Sequence, residues 1–465
     1  MKKIAGFFRW IGQDLGEIGK AFVKGDWKTK LSFVIMGFGS LLRKQFLRGF
    51  TFLGIEVLYI CYMVFFGVNY IKDFGTLGVV ETHEEAAFFA GVEIGKTTVY
   101  GDNSFLILLF SLLTIFITIA FLFVWRLNVK NNWEAQQSLA AGKRLATSKE
   151  DFHSLFDKNF DKTLLALPML GVFLFVVLPI VFMICVAFTN YDATHQPPAH
   201  LFTWVGLENF KNLFSVGGSG FGSTFGIVLS WTLVWAFFAT FLNYFGGMGV
   251  AILINKKGIK FKKLWRTILV MTIAVPQFVS LLYVGKMFAK DGLINGYLMK
   301  WGWIDQAIPF WTDPLLAKIT IILINVWVGV PYVMLITTGL LMNIPEDLYE
   351  SARIDGANGW QMFRKITLPY MLFVTGPYLL TSFTGNLNNF NVIYLLTTGS
   401  PLSTSLAGKA GHTDLLITWL YKLTVNDTNY RMAAVIGIMV FVVTAVISLV
   451  VYNILPSVKD EEGFQ

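Results

Sequence analysis

The amino-acid sequence predicts an all-α membrane protein, a polytopic bundle of eight transmembrane helices, and three observations carry that prediction. Of 465 residues, 55% are hydrophobic and 14% charged, too little polar material to coat the two or three soluble domains such a length would otherwise form. The hydrophobic residues gather into runs long enough to cross a bilayer as helices. Lysine and arginine, finally, sort to one side of those runs.

Residues 1–49 read as a basic, amphipathic arm, in which Phe7, Phe8 and Trp10 stand beside Lys2, Lys3 and Arg9, the pattern of a segment lying on a membrane surface. No short apolar stretch ending in a small-residue cleavage site follows directly, so a cleaved signal peptide is not expected. Within the arm, Leu31 to Leu42 is apolar but only twelve residues long and broken by glycine. A crossing needs about twenty residues, so this piece is interfacial or re-entrant.

The eight crossings are expected at Phe50–Val68, Ser104–Trp125, Thr163–Phe188, Thr224–Ile254, Leu264–Phe288, Ala317–Leu341, Tyr370–Tyr394 and Met432–Leu455. An even number puts both termini on one side. Segments on that side hold 27 of the 37 Lys and Arg residues and the opposite side ten, so both termini are expected in the cytoplasm. The corresponding divisions are 1–49, the arm; 50–162, two helices and a cytoplasmic linker; 163–456, a six-helix core; and 457–465, a tail.

The net charge of +8 does not indicate nucleic-acid binding, because the basic residues border apolar runs instead of forming a stripe. Cys61 and Cys185 lie inside apolar runs and imply no disulfide framework. Ala90–Thr98, "AGVEIGKTT", has the spacing of a phosphate-binding loop. It falls on the outer face, however, in a loop (69–103) with two Lys against six Asp or Glu, and the acidic "ETHEEAAFFAG" replaces the buried strand that such a loop follows. The match is read as chance. Glu56, alone in the first span, is read as protonated or paired within the bundle, since a proton relay would need a second partner.

The most informative stretch is "NIPEDLYESARIDGANGWQMFRKITLP", Asn343 to Pro369, between the sixth and seventh spans on the cytoplasmic side. Asn343 can cap a first short helix, with Pro345 in its opening turn, Glu346 three residues on, and Asp347 at the positive end of the dipole. Gly356 ends that helix, and Asn358 with Gln361 forms a second capping pair. Leu348, Ala352 and Gly356, spaced by four, make a face on which another backbone can come close.

This loop resembles that of the permease subunits of type I ABC importers, which reads Glu-Ala-Ala, then Gly, then Ile-x-Leu-Pro. Matching positions are Glu350, Ala352, Asp355, Gly356, Ala357, Phe363, Ile366, Leu368 and Pro369, with Ser351 standing where the pattern usually has Ala. The resemblance covers roughly 162 to 455 and, with "WVGLENF" at Trp204–Phe210, is closest to maltose and maltodextrin permeases of MalF type. It implies a type I ABC importer permease fold in a bacterial plasma membrane, with 343–369 seated as a coupling loop on a separate ATPase. No cofactor is then expected in this chain, ATP and Mg being bound by that partner, and the chain itself catalyses nothing. Implied partners are a second homologous, MalG-like permease, an ATPase dimer, an extracellular solute-binding protein, an oligosaccharide and the lipid bilayer.

A polar solute crossing the midplane must exchange water for amides, hydroxyls and aromatic faces. Asn325, Gly329 and Tyr332 share one face of the sixth span, and Ser382, Asn386 and Asn389 one face of the seventh. Interhelical hydrogen bonding would explain any one of these amides. The repeated spacing on the two helices flanking the loop favours a sugar path, and the MalF-type resemblance places sugar contacts at the same six positions. Gln277 and Ser280, beside Pro276, are a weaker case.

Overall fold

A computed structural model describes residues 14, 16–89, 92–215, 220–256 and 258–454. Lys2, Lys3, Phe7, Phe8, Arg9 and Trp10 of the expected surface arm, Ala90 and Gly91, and the tail 457–465 therefore lie outside the described residues. Seven described helices are long and apolar enough to cross a membrane, and a helix pair bent by 94° makes an eighth if taken as one crossing. In chain order they are α1 (Phe46–Ile71), α2 (Ser104–Ala140), α3 (Phe160–Val186), α4 (Phe221–Asn255), the pair α5 (Lys262–Ala274) and α6 (Gln277–Met287), and α7 (Pro314–Leu341). After a loop helix, α8 (Glu346–Ile354), the seventh crossing contains α9 (Leu368–Leu387) and α10 (Phe390–Thr397). A short apolar helix, α11 (Leu416–Val425), precedes the last crossing, α12 (Tyr430–Ile454). The chain divides into two compact units, Met1–Val205 and Gly206–Gln465. The third crossing thus clusters with the first unit.

In the first unit the Leu31–Leu42 segment forms short helical turns, and side chains of α2 hold it. The Gly37 N–H donates to Asn128 Oδ1 at 3.0 Å, and Thr29 Oγ1 donates to Gln136 Oε1 at 2.9 Å. Arg43, its side chain 1% exposed, donates to Asn132 Oδ1 at 2.8 Å and pairs with Asp26 at 2.7 Å. These polar groups satisfy one another, which is what makes a non-helical backbone tolerable beside a membrane span. Glu56 belongs to the same assembly, because its Oε2 accepts the Met36 N–H at 2.8 Å. The lone intramembrane carboxyl of α1 is paired within the bundle.

Two strands, β1 (His83–Phe89) and β2 (Val92–Val99), pair antiparallel in the loop between α1 and α2. This hairpin adds a β element that the helical reading did not include. Gly95, Lys96 and Thr97 lie within β2 and not in a loop opening a helix, and Lys96 Nζ pairs with Glu84 at 3.1 Å. The phosphate-loop spacing is a coincidence of composition.

The second unit packs around α4. Trp231, Trp235 and Ala239 of α4 meet Ile321 and Ile324 of α7, Leu281 of α6, and Val392 and Ile393 of α10 in one buried cluster. Further along, Tyr244 and Met248 of α4 pack on Val333 of α7 and Met371 of α9, and the Tyr244 hydroxyl lies 2.8 Å from Thr375 Oγ1. Lipid tails are as apolar as these side chains, so the contacts hold by close packing and by hydrogen bonds, not by exclusion from water.

Two expected spans are interrupted. The fifth, expected unbroken over Leu264–Phe288, turns by 94° at Val275–Pro276. Proline has no N–H to continue the ladder and pushes the residue before it into extended backbone, and Val275 has ψ 128°. The seventh ends α9 at Asn388 and restarts at Phe390. At the stop, Asn388 Nδ2 donates to Thr384 O and Asn389 Oδ1 accepts the Val392 N–H, side-chain bonds that compete with the helical backbone ladder.

Candidate functional site

Two places in the second unit combine unusual backbone with groups available for contact. The first is the 343–369 loop. Its helix α8 starts at Glu346, with Pro345 in the capping position and no side-chain cap. The expected Asn343 cap is therefore not formed: Asn343 lies in the preceding turn, its N–H donating to Leu340 O, because Pro345 sets the helix start two residues later. The exit matches the sequence more closely. Gly356 has φ +78°, its N–H reaches Arg353 O, and the Ala357 N–H reaches Ala352 O, the paired bonds of a Schellman ending. Asn358 and Gln361 exchange both bonds of a capping box, at 2.8 and 2.9 Å.

No residue of α8 is buried, and Glu350, Ser351, Asp355 and Gly356 are exposed. Apolar side chains here also face outward: Leu348 is 50%, Ile354 87% and Trp360 66% exposed. Ala352, Asp355, Gly356, Ala357, Met362, Lys365 and Ile366 surround a cavity of about 330 Å³. Pro369 and Leu368 sit in the first turn of α9. The Tyr349 hydroxyl, 2.8 Å from Thr367 Oγ1, fastens α8 to the foot of that helix.

The second place is the α5–α6 break. Thr272, Pro276, Gln277 and Ser280 face Trp327, Gly329 and Tyr332 of α7 across a cavity of about 330 Å³. Two of the six residues expected to touch solute, Gly329 and Tyr332, line it, together with the weaker pair Gln277 and Ser280. Ser382 lies near it through Tyr378, whose phenol interacts with both Tyr332 and Ser382.

The other three are arranged differently. Asn325 is 5% exposed, away from the cavity lining, with Nδ2 unpartnered. Asn386 donates from Nδ2 to Thr240 Oγ1 of α4 at 3.0 Å, and Trp235 Nε1 donates to its carbonyl. Asn389 does not share a helical face with Ser382 and Asn386, since α9 has already ended. It caps α10, accepting the Val392 N–H at 3.2 Å, and donates to Asn386 Oδ1 at 3.3 Å. Thr240 and Asn243, which complete this polar layer from α4, were hidden in an apolar run. Their signal is two polar residues three apart in "ATFLNYF".

A helical bundle with a broken crossing, a buried layer of amides and phenols between its helices, and a capped loop with exposed apolar side chains is the arrangement of a multi-pass membrane protein with room for a polar solute and a surface for a partner. Residues 244–460 match the family described as "Binding-protein-dependent transport system inner membrane component". The chain is 35% identical over 430 residues to the galactooligosaccharides transport system permease protein GanP of Bacillus subtilis, covering 92% of this chain and 97% of that one. It is 34% identical over 444 residues to the maltodextrin transport system permease protein MalC of Streptococcus pneumoniae, covering 94% and 97%. To MalF of Escherichia coli, a maltose/maltodextrin permease, it is 34% identical over 56% of this chain and 51% of that one. In structure it resembles a chain of a bacterial ABC transporter involved in alginate import, with TM-score 0.53 and 23% identity over 66% of this chain and 99% of that one, which shows the fold. The protein belongs to the permease components of binding-protein-dependent ABC importers, and within them to the sugar permeases.

Proposed function

We propose that this chain carries an oligosaccharide of maltodextrin type across the plasma membrane, driven by a separate ATPase seated on the 343–369 loop. The observation that carries the coupling is the exposure of the loop: α8 with water-facing Leu348 and Ile354, followed by exposed Trp360, and tied through Tyr349 to the foot of α9. Exposed apolar side chains on a rigid loop favour a protein partner. Glu350 offers it a carboxylate, while Ser351, Ala352 and Gly356 let its backbone approach. ATP and Mg then belong to that partner. The loop, both termini and the basic segments 126–162 and 255–266 face the cytoplasm, in keeping with the Lys and Arg distribution.

The sugar path runs beside the α5–α6 break. Interrupted helices leave backbone groups free at mid-membrane, and a cavity of about 330 Å³ is at the small end of ligand sites. Tyr332 and Trp327 supply aromatic faces, and Gln277 and Ser280 supply hydrogen bonds at the cavity, with Ser382, Asn325, Asn386 and Asn389 in reserve outside its lining; none carries charge, which suits a neutral sugar. A second homologous permease, MalG-like, completes the path, and an extracellular binding protein delivers the sugar. A galactooligosaccharide cargo is the second reading, favoured by the name of the GanP relative.

The test is Glu350→Lys in cells expressing the whole transporter. Maltotriose uptake and co-purification of the ATPase should both fall at least tenfold while the amount of this chain in the membrane is unchanged. Undiminished co-purification and uptake would refute the docking role.

A further inference from the structure

The cavity wall and helix α4 meet at Gly329. A Cβ built there would stand 2.2 Å from Asn243 Nδ2, 2.5 Å from its Cγ and 2.8 Å from its Oδ1. The Asn243 amide therefore occupies the space in which any other residue at 329 would place its side chain. Because Gly329 also lines the cavity, this glycine is the gap in α7 that separates Asn243 from the path.

The hydrogen bonds of this layer are incomplete in a specific way. Asn243 Oδ1 is buried and accepts nothing, and Asn325 Nδ2, one turn earlier on α7, is buried and donates nothing. Neighbouring amides of the same layer are satisfied: Asn386 on Thr240, and Asn389 on Asn386 and Val392. Unpaired amide atoms inside a membrane protein are costly. An acceptor and a donor left open on adjacent helices are completed together by one group that both donates and accepts, and a hydroxyl is such a group.

We propose that Asn243 is a sugar-contacting residue, reaching the translocation path through the gap at Gly329. One sugar hydroxyl donates to Asn243 Oδ1 and accepts from Asn325 Nδ2. The idea rests on the reading of the α5–α6 cavity as the sugar path and adds to it a third helix, α4, and a specificity. An uncharged acceptor on α4 and an uncharged donor one turn from Gly329 on α7 select a neutral hydroxyl and discriminate against a sugar lacking that hydroxyl or carrying a carboxylate there. Asn243 Oδ1 and Asn325 Nδ2 are enclosed in this conformation, so the contact forms only in a state where the gap is open.

The experiment is equilibrium dialysis of labelled maltotriose, and of its monodeoxy analogues, against the purified permease–ATPase complex without binding protein. Asn243→Leu, which keeps the volume and removes the acceptor, should raise the maltotriose Kd about tenfold. One monodeoxy analogue that binds the unaltered complex poorly should bind the variant as well as maltotriose does. Asn243→Ser, which retains an acceptor, carries the same test should the leucine variant fail to insert, with a smaller rise in Kd. Tyr332→Ala separates the two levels of the argument. A raised Kd in Tyr332→Ala with no change in either Asn243 variant overturns the Asn243 contact and leaves the path standing. Unchanged binding in all three overturns both.

Discussion

Gly329→Ala is the perturbation whose consequence the structure fixes most tightly. The added methyl would lie within 3.0 Å of three atoms of the Asn243 side chain, at 2.2, 2.5 and 2.8 Å. All three atoms belong to the end of one side chain, so relief comes cheaply where the Asn243 amide turns out of its rotamer, and otherwise α4 and α7 must part. Overpacking of this kind costs about 1–3 kcal/mol, and the loss falls on the most extensively packed helix pair of the second unit. The decisive comparison is a double-mutant cycle. Asn243→Ala removes all three contacting atoms, so Gly329→Ala/Asn243→Ala should recover most of that cost, a coupling of about 1–3 kcal/mol. Thermal unfolding of the purified complex, followed by tryptophan fluorescence, measures it. If the double variant is destabilised by the sum of the single losses to within about 0.5 kcal/mol, Asn243 does not occupy the space beside Gly329 and the reasoning fails.

Other consequences are as direct. Gly356→Ala places a Cβ at φ +78° with no atom of this chain near it, so its cost to the fold is backbone strain, about 1–2 kcal/mol, seen as faster hydrogen exchange over α8, while uptake falls further because the methyl also stands where the ATPase backbone would approach. Lys422→Met strands Asp414, which is fully buried 2.6 Å from the ammonium; breaking such a pair costs about 3–5 kcal/mol and should lower the yield of folded chain on size exclusion. Burial pushes the Asp414 carboxyl up, so in that variant it takes a proton, and the loss should be smaller in acidic buffer than in alkaline buffer. The Asp102 carboxyl is held below its usual range chiefly by the Val79 N–H, with the Val80 N–H adding to it. That stabilisation is present above the ordinary aspartate pKa and lost as pH falls through and below it, so amide exchange at Val79 and Val80 should quicken only in that acidic window.

Hydropathy made the crossings legible, because a bilayer imposes length and apolarity on every span. The capped loop was legible for a different reason. Gly356, Asn358 and Gln361 each perform a local task that the chain signals within four residues, and local tasks need no tertiary context. What hydropathy cannot register is a break that leaves composition unchanged: Val275–Pro276 and Asn388–Asn389 interrupt apolar runs without shortening them, although Pro276 itself was the available signal. The expected face of Ser382, Asn386 and Asn389 failed at that second break, since spacing defines a face only while the helix continues. The β1–β2 hairpin lies in the acidic loop 69–103, where the alternation of Val92, Glu93 and Ile94 was the signal. The polar pair Thr240 and Asn243 was the signal on α4, but the meaning of Asn243 depends on Gly329, 86 residues away in the chain and in contact across two helices.

The central claim is that solute moves only when an ATPase acts through residues 343–369. Maltotriose uptake into proteoliposomes holding the complete transporter, compared with and without ATP and with an imposed proton gradient, tests it most directly. Accumulation should require ATP, vanish in Glu350→Lys, and be indifferent to the gradient. Accumulation driven by the gradient with no ATPase present would contradict the account.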